Sequence, residues 1–148
     1  MNTEKKEEPK LSSEEIHQKI DEIINYVNES YPGRRDLACM QLLLQDRGCL
    51  FYHTKMVFDA DPLNSDEFAF MHQVDQDKTK GFMLYMHPFF KERADDLPFL
   101  MAYHFGIVNF GYHIEAEHAE KFGAGLNRVS VDDYYDKLNV LFEEMIKT

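Results

Sequence analysis

Five side chains able to ligate a metal ion or carry a proton fall between residues 104 and 118: His104, His113, Glu115, Glu117 and His118. Imidazole nitrogens and carboxylate oxygens are ligands for zinc and related divalent ions, and imidazole is also the commonest general acid or base. Spacing decides between these uses. A helix over 113–123 puts His113 and Glu117 on one face, four residues apart, and Glu115 and His118 on another, three apart. His113 and His118 then lie about 140° apart around the axis, so one ion takes one pair or the other. A single divalent metal is thus one alternative for this stretch, with His113, Glu115, Glu117 and His118 as its candidate ligands. The spacing is not the HExxH of zinc peptidases. Glu-x-x-His is the spacing of carboxylate-bridged di-metal bundles, and Glu14-Glu15-Ile16-His17 repeats it. On that helix the isoleucines mark the buried side and Glu14 points away from them, which argues against a dinuclear centre. The simplest expectation is that His118, in line with Ile114 and Phe122, belongs to the core and the glutamates to a solvated face.

His104 is a different case. It sits within "LPFLMAYHFGIVNF" (97–110), where no other side chain exchanges a proton near neutral pH. Burial there disfavours the imidazolium and predicts a neutral ring with a lowered pKa. His104 is therefore the candidate catalytic residue, as general acid or base, and with Tyr103 and Asn109 the candidate ligand-binding set. Its two ring nitrogens need partners, and a core histidine satisfied by its neighbours is the plainer expectation. His53, His72 and His87 make a metal triad only if one sheet face carries all three. The acidic loop "DADPLNSDE" (59–67) begins like a calcium loop but has Leu63 at a ligand position and no glycine at position six. It reads as a turn followed by a cap. No GxSxG, phosphate-cradling glycine loop or dinucleotide fingerprint is present.

Helices and short strands must position these groups. Residues 1–10 read as a flexible tail, and 11–148 as one globular domain. Ser12 and Glu15 form a capping box for a helix over 13–30, whose apolar stripe is Ile16, Ile20, Ile23, Ile24 and Val27. A second helix covers about 35–47, with Gly48 suited to the left-handed residue past its end. "CLFYHTKMVF", "EFAFMHQV" and "GFMLYMHPFF" read as three strands, the last two joined as a hairpin. One apolar helix is expected over about 97–110 and a shorter one over 113–123, ended by Gly123-Ala124-Gly125. Ser130 caps a final amphipathic helix. The fold expected is α+β, with helices on one face of a three-stranded antiparallel sheet. The alternative is an all-α bundle, in which the second helix runs on to Phe58.

Composition limits the function. The net charge of −11 and the lack of a basic cluster argue against nucleic acid and anionic membrane surfaces as partners. The charged start, MNTEKKEEPK, is unlike a secretory signal, and no apolar run is long enough to span a membrane. Two cysteines in apolar settings, Cys39 and Cys49, read as buried reduced thiols of a cytoplasmic protein. Twelve Phe, eight Tyr and eight Met give enough ring and thioether surface to line an apolar pocket or a subunit interface. The expectation is a small cytoplasmic module that binds a small apolar ligand or a protein partner, a second copy of itself included. The alternatives are an enzyme using His104 and a single-metal protein using the His/Glu set.

Overall fold

The computed structural model describes residues 10–148, so the expected tail lies outside the described residues except for Lys10. Helix α1 spans Ser13–Ser30, and both bonds of the Ser12/Glu15 capping box form. It buries Ile16, Ile20, Ile23 and Val27. Helix α2, Leu37–Gln45, starts on an Asp36 cap. It stops where Asp46 accepts hydrogen bonds from the Tyr26 and Tyr31 hydroxyls and from the Gly48 N–H. That carboxylate ends the helix short of Arg47 and rules out its extension to Phe58. Gly48 is not left-handed. It is needed because the Tyr26 ring lies against it, 2.4 Å from where a Cβ would stand. Cys39 and Cys49 are free and buried, and burial pushes the Cys49 thiol pKa up.

Three strands follow: β1 (Thr54–Phe58), β2 (Ala69–Gln73) and β3 (Phe82–Met86). The spatial order is β1-β3-β2, with β2 antiparallel to β3 as the hairpin requires. The sheet is mixed, because β1 runs parallel to β3. Two reversals of the chain lie between them, so the two strands point the same way. β3 is wholly apolar and takes the centre, while β1 with Lys55 and β2 with Gln73 take the edges, where polar side chains are tolerated. One face, including Ala69, Met71, Phe82, Leu84 and Met86, is buried under the helices. The outer edge of β2 is covered by Tyr112, whose hydroxyl accepts from the Gln73 N–H and donates to the Met71 carbonyl.

The last third is helical, with two differences from the expected elements. The expected 97–110 helix is two: α3 (Leu97–Tyr103) and α4 (Phe105–Phe110), broken at His104. There the chain tightens, with i→i−3 bonds from the His104 N–H to Met101 and from the Ile107 N–H to His104. Helix α5 spans Ala116–Asn127 rather than ending at Gly123. Its glycines allow close packing: Gly123 lies under the buried Tyr134 ring and Gly125 against Ile24. Arg128 ends α5 in the left-handed conformation, its guanidinium held by the carbonyls of Tyr31, Pro32 and Gly33. Helix α6, Val131–Ile146, begins on the Ser130 cap. The described chain is α+β, and none of its helices is long and apolar enough to cross a membrane.

Candidate functional site

Two groups of side chains border α5 and the chain leading into it. The first is a pocket of about 160 Å³ beside the α3–α4 break. Tyr103, His104, Ile107, Ile114 and Ala119 form much of its wall, and the exposed residues Tyr112, Glu115 and Ala116 stand at its mouth. The helix break presents the His104 ring to this pocket. Phe68 and Tyr103 pack edge-on against the ring, with centroids 5.3 and 5.5 Å away. The residue keeps a little exposure toward the pocket, but its Nδ1 is fully enclosed and makes no hydrogen bond of good geometry. Burial lowers its pKa from 6.5 to about 4, and the carbonyls of Leu100 and Ala69 offset part of that effect. At neutral pH the pocket therefore offers an uncharged imidazole. Burial likewise raises the pKa of the Tyr103 phenol.

Asn109 does not join them. Its amide accepts from the Phe51 N–H and donates to the Cys49 carbonyl, both at 2.8 Å, and so ties α4 to the chain entering the sheet.

The second group lies where α1 meets α5. His17, Glu117 and His118 each offer a ligand atom, and the three atoms lie within 4.8 Å of one another. Glu117 Oε1 is 3.8 Å from Nε2 of both histidines. The two imidazoles meet edge to face, centroids 4.7 Å apart. His118 is 2% exposed, His17 is half-buried and Glu117 faces solvent. The Ser13 hydroxyl stands 3.0 Å from His118 Nε2, and His118 Nδ1 accepts a long bond, 3.4 Å, from the Glu115 N–H. Lys121 is close by but paired with Asp21 at 3.2 Å.

The other expected ligands are elsewhere. Helix α5 begins only at Ala116, so His113 and Glu117 do not share a helical face. His113 is exposed and folds back over Gly111, whose φ of +95° turns the chain ahead of α5. Glu115 is the cap of α5 and borders the pocket. His53, His72 and His87 do not converge. His72 lies near Phe70 and Tyr85 on the uncovered sheet face, and His87 Nδ1 accepts from the Phe89 N–H. Among the described residues, only His17, Glu117 and His118 form a cluster of this kind. His17 did carry a signal in the sequence. It precedes Ile20 by three and Ile24 by seven residues, which places it beside the buried stripe of α1.

No protein-family model, no curated protein and no solved structure matches the chain.

Proposed function

We propose that this chain is a small cytoplasmic binding module whose pocket beside His104 takes a neutral ligand about the size of one aromatic ring. The observation that carries this reading is the pocket itself, about 160 Å³, with a wall apolar and polar in nearly equal parts that includes one uncharged imidazole. An apolar cavity of about 150 Å³ holds benzene, whereas drug-sized ligands need roughly 300 Å³ or more. The same features favour binding over acid–base catalysis. A base works best with a pKa near the working pH, and His104, at about 4, is a weak base at neutral pH.

A thermal-shift screen with phenol, indole, cyclohexanone and benzene tests the proposal. At least one of them is expected to raise the melting temperature by a few degrees, since binding to the native state alone stabilises it. The shift should vanish in Ala119→Phe, which fills the pocket. No shift with any of the four, or a shift that survives Ala119→Phe, refutes the reading.

The uncovered sheet face favours a second reading, self-association. There Val57, Phe70, Met83 and Tyr85 remain partly exposed opposite the helices. Sedimentation at tens of micromolar should then give twice the chain mass, and Phe70→Lys should return the monomer. A wild-type monomer at that concentration would exclude it. Nucleic acid is not an expected partner at a net charge of −11.

A further inference from the structure

We propose that His17, Glu117 and His118 form a divalent-cation site of the zinc class where α1 meets α5, separate from the pocket and independent of its ligand. Two imidazoles and one carboxylate are a donor set that zinc and its first-row neighbours bind well, with open positions left for water. Sequence separation hides the site, because its ligands come from the two Glu-x-x-His segments at opposite ends of the chain. Of the residues that set the Glu-x-x-His spacing only the two histidines meet, joined by Glu117 from the interior of the second segment. Glu14 faces solvent and Glu115 caps α5, so the arrangement is mononuclear.

The geometry is close to a loaded site. Ligand atoms about 2.1 Å from a tetrahedral ion stand about 3.4 Å apart, and the three donors here lie within 4.8 Å of one another. Glu117 Oε1 is 3.8 Å from each Nε2, and its exposed side chain can close that gap. His118 is held by the core with Nε2 turned toward this group, while the solvent side at Glu117 gives an ion its way in. Two local changes accompany binding. The Ser13 hydroxyl swings off Nε2, and the His118 proton moves to Nδ1, giving up the 3.4 Å contact with the Glu115 N–H. The Nδ1–H and the Glu115 N–H would then face each other as donors, so binding also requires the ring or the start of α5 to shift until each finds an acceptor. The nearby ammonium of Lys121 is balanced by Asp21 and does not repel the ion unopposed.

Chelator-treated full-length protein should bind one Zn(II) per chain by calorimetry, and Co(II) should give the visible absorption of a nitrogen- and oxygen-ligated ion. His17→Ala and Glu117→Gln remove ligands on the open side and should leave the metal-free melting temperature within a few degrees of wild type. Changes in outer-shell partners alone weaken metal sites by roughly 10–100-fold. Loss of either ligand should therefore weaken Zn(II) at least about tenfold. Calorimetry on both variants, after circular dichroism shows them folded, decides the matter. Failure of the wild type to bind below millimolar Zn(II), or unchanged affinity in either variant, overturns the three-ligand site.

Discussion

Acidification from about pH 7 to about pH 4 is expected to cost the folded protein about 3 kcal/mol through His104 alone. In the unfolded chain this imidazole takes up a proton near pH 6.5, while in the folded chain it stays neutral down to about 4. Between those values the unfolded state binds more protons, so stability falls as the pH falls. The loss begins near pH 6.5 and is complete once the pH is below about 4. What faces the ring gives a proton little support. Phe68 and Tyr103 pack on it, the Leu100 and Ala69 carbonyls offset only part of the desolvation, and Glu115 is at the pocket mouth. Carboxylates titrate over the same range, so the test is a difference. Urea unfolding at several pH values should show His104→Leu losing about 3 kcal/mol less than wild type on acidification. At pH 7 the variant should match or exceed wild type, because Leu leaves no buried nitrogen without a hydrogen bond of good geometry. Parallel stability profiles for the two proteins would mean that the ring is open to water.

The second large effect comes from one methyl group. Gly123→Ala is expected to lower stability by about 2–3 kcal/mol, a melting temperature lower by roughly 5–10 °C. Helix propensity points the other way, since Ala in a helix interior gains about 1 kcal/mol over Gly. Packing outweighs it. A Cβ at Gly123 would lie 2.2 Å from the Tyr134 ring and hydroxyl. Tyr134 is fully buried, and its hydroxyl donates to the Phe99 carbonyl at 2.5 Å, so the ring has nowhere to go. Gly125→Ala meets the tip of Ile24, which is only half-buried and can turn aside. That variant should stay within about 1 kcal/mol of wild type, the propensity gain offsetting the rearrangement. Thermal melts of the pair check both statements. Equal losses would mean that Tyr134 is no more tightly held than Ile24.

The contrast between these glycines shows what could be read from the residues. A helix end accounts for Gly-Ala-Gly as well as close packing does, because both favour a missing side chain, and only the positions of Tyr134 and Ile24 separate them. Local signals were legible where the chemistry is local. The Ser12/Glu15 box, the Ser130 cap and the β2–β3 hairpin each lie within a few residues of their partners. The break at His104 was not legible, since a uniformly apolar run carries no mark of where its hydrogen bonding will tighten. The neutral state of the ring followed from its surroundings in the sequence, but the poor hydrogen bonding of Nδ1 did not. His17 and His118 could not be joined from periodicity. Each borders the buried side of its own helix, and their meeting depends on how α5 lies across α1.

The position of β3 between β1 and β2 also imposes an order in time. A ribosome extends the chain at roughly 5–20 residues per second, so β1 is complete on the order of one to six seconds before Met86 is joined. Within the sheet β1 pairs only with β3, so during that interval its backbone has no ladder to enter. β2, by contrast, meets its partner as soon as the short turn after Gln73 has been made. The hairpin closes a short loop and the β1–β3 pair a longer one, so the parallel ladder is expected to form after the hairpin.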